Sequence, residues 1–173
     1  KKGYFTYGGR NNEAESKFFS GECAMLTSSS AAYANIKRNA KFGFGISTIP
    51  YYPDAAGAPQ NTIIGGASLW VMNGQKPAEY KGIAKFFTFL SSPEIQAQWH
   101  QETGYLPITM AAYNITKKSG FYDKNPGTNV SVEQMIVKTT KNSRGVRLGN
   151  FVQVRDASPE EGEAALAGKK TAK

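Results

Sequence analysis

The stretch that decides the fold covers residues 42–72 and reads FGFGISTIPYYPDAAGAPQNTIIGGASLWVM. Over residues 42–49 the apolar side chains Phe42, Phe44 and Ile46 alternate with glycines and small polar residues, which predicts a β-strand. Pro, Gly and Asp over residues 50–59 indicate a loop. Residues 63–72 predict a second strand region, and the glycine pair Gly65-Gly66 inside it is typical of a bulge or of a close approach to the backbone.

Helices are predicted on both sides of this stretch. In residues 77–90 the apolar side chains fall on one helical face, and the helix predicted over 93–101 starts at a proline and closes at Gly104. Further helices are predicted over residues 12–19, 31–39, 109–117, 130–138 and 157–167. Residues 23–26 have strand character. The mixed order of helices and strands predicts an α/β fold.

The composition is that of a globular chain with a basic surface. Of 173 residues, 40% are hydrophobic and 20% charged, so the chain can bury a core. Its longest apolar stretch, residues 63–72, is shorter than the ~20 residues a membrane-spanning helix needs. A net charge of +8 favours anionic partners. Basic residues come at most in pairs, which argues against extended nucleic-acid binding and leaves a solubilising surface or a small anionic ligand.

Catalytic and metal chemistry finds little support in the sequence. His100 is the only histidine, so a multi-histidine metal site is excluded, and a packed or solvent-facing ring is the default interpretation. The single cysteine, Cys23, lies in an apolar run and is interpreted as a structural thiol. No nucleotide-binding loop, zinc-protease motif or nucleophile elbow is present. The sequence therefore predicts no enzyme, no metal and no cofactor.

Several features could hold a phosphate. The serine turn Ser28-Ser29-Ser30 precedes a predicted helix and offers hydroxyls and backbone N–H groups, although helix capping explains it equally. The glycine pair lets a ligand reach the main chain, or marks a bulge without a ligand. The Tyr105 phenol could donate to an anion, or belong to the core. Arginine side chains that could form a bidentate contact are Arg144, Arg147 and Arg155.

Longer motifs carry a family resemblance. The segments KFFSGECAM (17–25), 42–72, WHQETGYLPIT (99–109) and VRLGNFVQVR (146–155) resemble the periplasmic sn-glycerol-3-phosphate-binding proteins of ABC importers, over about residues 5–155. The first segment and the GYLP element are shared by solute-binding proteins of the maltodextrin-binding type in general. The GAPQN-x-IIGGASLWVM, WHQ-x-TGYLPIT and RLGN patterns are more specific to the glycerol-phosphate member.

The resemblance implies a two-lobed α/β fold, the type II periplasmic binding protein fold, of which this chain is similar to the C-terminal portion. Residues 1–49 and 105–173 are then expected in the second lobe, and residues 50–104 are expected to cross into the first. The implied function is non-enzymatic capture of sn-glycerol 3-phosphate in the periplasm, by a protein that is a monomer when intact, and delivery to membrane permease subunits. The alternatives are a glycerophosphodiester such as glycerophosphocholine, a sugar, or, less favoured, a glycerol-phosphate esterase.

The resemblance also assigns ligand-binding residues. The family's contacts fall on Ser29, Gly66, Tyr105 and Arg155, which coincide with the anion-binding features above. Arg155 and Tyr105 are expected on the phosphate, Ser29 as a hydroxyl partner, and the Gly66 main chain at the opposing wall. Trp70 and Arg147 are second candidates for packing and support. After Arg155 the sequence departs from the family's apolar-faced helix.

Overall fold

The structure is a computed structural model that describes residues 4–171. Within this range the regular elements are α-helices and one 3₁₀ turn, joined by irregular segments. In chain order they are α1 (Ala14–Phe19), the 3₁₀ turn (Ser30–Ala32), α2 (Tyr33–Asn39), α3 (Pro77–Leu90), α4 (Pro93–Thr103), α5 (Met110–Lys118), α6 (Phe121–Lys124), α7 (Val130–Ile136) and α8 (Phe151–Leu166).

The helices form where local signals agree. Helix α3 has the predicted bounds, and the Glu79 carboxylate accepts a hydrogen bond from the Lys76 amide at 2.7 Å, which satisfies an orphan donor at its start. Helix α4 begins at Pro93, continues two residues past the prediction, and ends before Gly104, whose φ of 79° is the left-handed conformation of a helix stop. The Thr109 hydroxyl caps α5 by accepting from the Ala112 amide at 3.2 Å.

Helix α8 differs most from its prediction, because it begins at Phe151 rather than near residue 157. Asn150 precedes it with a φ of 56° and makes no side-chain cap, so no ordinary start signal marks the boundary. Pro159 lies inside the helix. Since proline has no backbone N–H, the carbonyl of Arg155 loses its helical partner.

The core lies where α4 and α5 pack together. Small residues face each other there: Ala112 and Thr116 are fully buried, and Ala97 is nearly so. Small side chains let two helices approach closely, and the density of such a contact leaves little room for larger groups. Helix α2 packs on α4 through its buried Ile36, and α6 packs on α5. This helical centre fixes the positions of the loops described below.

The three strand predictions are wrong for the described residues. Between residues 4 and 171, no strand forms in the segments 23–26, 42–49 and 63–72. A strand exists only when a neighbouring strand pairs with its backbone, and apolar alternation does not supply that neighbour. The alternation itself still orients side chains. Phe42 and Phe44 both pack edge-on against Phe18, with ring centroids 5.6 and 6.2 Å apart. The α/β class is therefore not confirmed by these residues.

Much apolar surface is open to solvent. The chain exposes 13749 Å². A compact folded monomer of its mass would expose about 8,300 Å². Residues 63–72 contribute strongly, with Trp70 exposed to 86%. Helix α3 has no buried residue, and its exposed rings include Phe86 and Phe89. The apolar face of a helix is normally packed against other protein. This surface is therefore suited to packing against further protein.

The predicted division at residues 49 and 104 crosses the helical centre. Helix α2 from the first segment packs on α4 from the second, and α4 packs on α5 from the third. Residues 1–3 and 172–173, the outer ends of the first and third segments, lie outside the described range. The assignment of these segments to lobes stays a prediction. Among the helices formed by residues 4–171, none combines the length and apolar character needed to cross a bilayer.

We predict that the backbone amides of residues 63–72 exchange with solvent much faster than those inside α4 and α5. Within the part of the chain that the structure describes, no amide of residues 63–72 donates to a protein acceptor, so these amides should exchange near the rate of an unfolded peptide. Those inside α4 and α5 should be strongly protected. Mass spectrometry of peptic fragments measures both. Protection of residues 63–72 beyond ~100-fold would contradict the open conformation.

Candidate ligand-binding site

The serine turn lies directly before α2. Ser29 has extended backbone, and its hydroxyl oxygen accepts a hydrogen bond from the Ala31 amide at 3.3 Å, so it caps the 3₁₀ turn. Capping uses the oxygen as an acceptor and leaves the O–H free to donate. The Ser28 hydroxyl donates to the buried Glu15 carboxylate at 3.3 Å, which ties the turn to α1. Ser29 is exposed and can reach a ligand.

The serine turn touches the connection that carries Tyr105. A Cβ placed on Gly104 would lie 2.7 Å from the Ser30 carbonyl oxygen, closer than real Cβ atoms come. Gly104 also has the positive φ that ends α4, so two independent constraints require glycine there. The chain that leaves α4 therefore passes directly beside the serine turn and brings Tyr105 into its neighbourhood.

Gly66 lies against the Tyr105 ring. A Cβ on Gly66 would be 3.4 Å from Cε1 and 3.8 Å from Cδ1 of Tyr105. The φ of Gly66 is 98°, a conformation that side-chain-bearing residues rarely adopt. The predicted close approach at the glycine pair is thus made, within the described residues, by the ring of another candidate residue. Three predicted site residues, Ser29, Gly66 and Tyr105, lie along one continuous run of contacts.

The Tyr105 side chain is accessible at the surface. Tyr105 is 46% exposed, and among residues 4–171 no protein group is hydrogen-bonded to its hydroxyl. Together with the Ser29 hydroxyl, it offers a pair of neutral donors beside exposed glycine backbone. Such a set suits oxygen atoms of a small polar ligand.

His100 is a residue whose importance the sequence did not reveal. It is only 3% exposed, and both ring nitrogens have partners: Nδ1 lies 2.7 Å from the Tyr105 carbonyl oxygen and Nε2 lies 2.9 Å from the Tyr122 hydroxyl. The packed interpretation of this histidine is confirmed. A signal was available in the spacing of buried Ala97 and His100, three residues apart on one face of α4.

Arg155 is not hydrogen-bonded to the other three predicted residues. It is in the first half of α8 and is exposed, and among residues 4–171 its guanidinium forms no hydrogen bond or ion pair. Two shallow concavities, one along residues 60–63 and 142–145 and the other beside Tyr33, also lack the four residues. The described site is an open surface rather than a cleft.

An ion pair attaches α8 to the beginning of the described chain. The Glu163 carboxylate accepts from Arg10 Nε at 2.8 Å, from Arg10 Nη2 at 2.7 Å and from the Tyr7 hydroxyl at 2.9 Å. The hydrogen bonds from Arg10, followed by the one from Tyr7, lower the pKa of Glu163 to about 2. The bidentate geometry orients the helix, and with it the position from which Arg155 projects.

Trp70 is exposed, so within the described range it does not act as a packed support, and Arg147 is exposed as well. Cys23 is half-buried and free. Across residues 4–171, no three side chains of the His, Cys, Asp and Glu types meet in a way that could hold a metal ion.

Comparison with known proteins identifies the class. The family described as bacterial extracellular solute-binding protein matches residues 1–129. The chain belongs to this family.

Three curated relatives cover nearly the whole chain. Each is an sn-glycerol-3-phosphate-binding periplasmic protein UgpB, and the sequence identities are 56% for Pectobacterium atrosepticum, 55% for Yersinia enterocolitica and 53% for Salmonella typhimurium. Each match includes 99% of this chain and 39% of the relative. The chain therefore spans about two fifths of the length of the curated relatives that it matches.

We predict that Gly66→Ala displaces the Tyr105 ring. The new methyl group would lie 3.4 Å from Cε1 of Tyr105, at the tight edge of van der Waals contact, and would strain a backbone with positive φ, so that relief of the strain moves the ring. Gly74→Ala is the matched control, because Gly74 has a φ of 85° and has no neighbour within 4 Å in the described structure. NMR of labelled tyrosine should show a shifted Tyr105 ring in the first variant alone. Equal shifts in both variants would show that backbone strain, and not ring contact, is responsible.

Proposed function

We propose that this chain forms part of the substrate-binding component of an ABC importer, which captures sn-glycerol 3-phosphate in the periplasm and delivers it to membrane permease subunits. The observation that carries the proposal is the contact run from the serine turn to Tyr105 and Gly66, in a chain 56% identical to a relative named for this ligand. The net charge of +8 favours an anionic ligand.

In the proposed complex, neutral hydroxyl donors and one cation contact the ligand. Tyr105 and Ser29 supply hydroxyl donors, and the Gly66 main chain lies against the ligand without a Cβ between them. Arg155 supplies the guanidinium for the phosphate. Hydrogen bonds that involve a charged group contribute about 1.5–3 kcal/mol each, so Arg155 and Tyr105 should dominate the phosphate contacts.

Arg155 needs a change of arrangement to join the other residues. In the described structure it projects from α8 without a partner, and the three remaining residues lie on an open surface. We infer that protein outside the described residues holds α8 beside Tyr105 within the lobe to which both belong, and that closure of the other lobe, which carries Gly66, covers the ligand. Hinged closure around a ligand is a common motion of two-lobed binding proteins. The exposed phenol and guanidinium are then desolvated only when ligand is bound.

The proposal includes a two-lobed α/β architecture. We infer that residues 1–49 and 105–173 contribute to one lobe and residues 50–104 to the other. In this arrangement residues 42–49 and 63–72 pair with strands supplied by protein that the described residues do not include. The exposed apolar side chains of α3 and of residues 63–72 support this, and the total exposed surface of the chain exceeds that of a compact monomer of its mass.

Binding without catalysis fits the residues at the site. A transport receptor needs donors placed around an anion and no general base. The sole histidine is buried and engaged at both nitrogens, and so it is not available to a substrate. We therefore propose that the complete protein is not an enzyme. We also propose that it acts as a monomer and does not bind nucleic acid.

A chimera tests the architecture. Residues 4–171 would replace the matching region of the relative from Pectobacterium atrosepticum, at 56% identity. We predict that the amides of residues 42–49 and 63–72 exchange quickly in the 173-residue chain and slowly in the chimera, because there they gain strand partners. Residues 50–59 are the internal control and should exchange quickly in both. Equal exchange of residues 63–72 in both proteins would contradict the strand pairing.

Calorimetric titration of the chimera with sn-glycerol 3-phosphate tests the function. We predict one-to-one binding at micromolar affinity or tighter. Arg155→Ala should weaken affinity by roughly tenfold or more, since a charge-assisted contact is lost, and Tyr105→Phe by roughly three- to tenfold. Arg38→Ala is the matched control for charge, because Arg38 is also an exposed helical arginine, and it should leave affinity unchanged.

The same titration distinguishes the alternatives. If glycerophosphocholine or a sugar binds the chimera and sn-glycerol 3-phosphate does not, the same fold has another ligand. Release of inorganic phosphate from the ligand would indicate an esterase. If the affinity of the Arg155→Ala chimera for sn-glycerol 3-phosphate stays within about threefold of that of the unsubstituted chimera, Arg155 does not hold the phosphate.

A further inference from the structure

The His100 ring is enclosed at the junction of α4, α5 and α6. It is almost completely buried, and its ring centroid lies 6.1 Å from that of Phe121 and 5.8 Å from that of Tyr122. Beside it on α4, the Gln101 side chain donates to the buried Thr116 hydroxyl of α5 at 3.3 Å. A polar ring in such surroundings is costly unless its nitrogens have partners.

Hydrogen-bond chemistry determines which nitrogen carries the proton. The Tyr105 carbonyl oxygen can only accept, so Nδ1 at 2.7 Å from it must carry a hydrogen. In the neutral ring Nε2 is then an acceptor, and the Tyr122 hydroxyl at 2.9 Å donates to it. Both partners are satisfied by one tautomer of the neutral histidine and not by the other.

This tautomer fixes the main chain at a residue of the candidate site. Tyr105 comes directly after the glycine that ends α4, where no regular element holds the backbone. Apart from the His100 contact, the Tyr105 amide donates to the Thr103 hydroxyl at 3.2 Å. The Tyr105 ring lies against Gly66, so a rotation of its backbone would lift the ring from that glycine.

We propose that His100 is a positioning residue for the candidate binding site: its Nδ1–H holds the Tyr105 carbonyl, and thereby keeps the Tyr105 phenol over Gly66 in the orientation that meets the ligand. His100 does not touch the ligand. The effect on affinity rests on the proposed function above, whereas the effect on the Tyr105 ring does not.

The groups around the ring favour its neutral form. Burial lowers the pKa of His100 below its ordinary value of 6.5, against the opposite effect of the bond to the Tyr105 carbonyl. The ionisable side chain that faces it is Tyr122 of α6, whose pKa is raised chiefly by burial and further by Tyr113 of α5 and Glu133 of α7. Among the described residues, no charged side chain is hydrogen-bonded or ion-paired to the ring.

Protonation therefore has a defined consequence. A charged ring is a donor at both nitrogens, so the Tyr122 hydroxyl would have to turn and accept. Because the folded-state pKa is depressed, the neutral ring's contribution to stability is complete above pH 6.5. It is lost as the pH falls through the lower folded value.

The first test needs no ligand and uses the 173-residue chain, in which His100 is the only histidine. Long-range proton–nitrogen NMR should show the Nδ1–H tautomer at neutral pH. A nuclear Overhauser contact between the Tyr105 ring and the Gly66 α-protons should be present. His100→Leu should lose this contact, and His100→Asn should keep it, because the asparagine amide can still donate to the Tyr105 carbonyl. An Nε2–H tautomer, or an unchanged contact in His100→Leu, would overturn the proposal.

The second test measures affinity for sn-glycerol 3-phosphate in the chimera. His100→Leu should weaken it roughly three- to tenfold, and His100→Asn should remain within about twofold of the unsubstituted chimera. Tyr113→Phe is the structural control, because Tyr113 is buried beside Tyr122 but does not contact Tyr105 through any hydrogen bond of the described residues. Equal affinities for the leucine and asparagine variants would overturn the positioning role, even if the chimera binds the ligand.

The rescue by asparagine is a readout that a purely structural role would not move, because asparagine restores the donor to the Tyr105 carbonyl without restoring the ring. If the chimera binds no sn-glycerol 3-phosphate, the proposed function fails, and the ligand-free test still decides the role of His100.

Discussion

The described structure depends on one buried ring, His100, because its two nitrogens join the Tyr105 carbonyl to the Tyr122 hydroxyl. The small residues between α4 and α5 bring the helices close enough to enclose this ring. The enclosure keeps the ring neutral, and the neutral ring in turn fixes the chain that leaves α4. Packing in the core thus orients a surface side chain: the Tyr105 ring lies against Gly66, and Gly104, the residue before it, lies beside the serine turn.

The open apolar surface and the half-built site have the same cause. Residues 63–72 expose their side chains and leave their amides unpaired, and α3 buries none of its residues. The chain spans 39% of the relative from Pectobacterium atrosepticum. In our proposal the same missing contacts would complete the sheet and the second wall of the cleft, so the fold and the site become complete together. The exposed donors at Tyr105 and Arg155 then acquire their full strength only when the site closes and water is excluded.

The sequence predicted what local signals determine and missed what depends on distant partners. Helix α3 was predicted to the residue because proline, apolar spacing and the following serines act within the segment itself. The start of α8 was misplaced because Asn150 supplies no cap. Strands at 42–49 and 63–72 require neighbours that alternation does not encode. Ser29, Gly66 and Tyr105 could be chosen as candidates because their chemistry is visible in the sequence, and their role as ligand contacts stays a prediction. The role of His100 was missed because it arises from a contact with a backbone carbonyl. Every residue carries such a carbonyl, so the sequence gives no sign of which one the ring contacts.

A crystal structure of the chimera with sn-glycerol 3-phosphate tests the central claim most directly. Our account predicts ligand density between Tyr105 and the serine turn, with the Tyr105 hydroxyl and the Arg155 guanidinium within hydrogen-bond distance of phosphate oxygens, and the His100 Nδ1 still on the Tyr105 carbonyl. Ligand bound at another place, or bound with Tyr105 turned away from Gly66, would contradict the account.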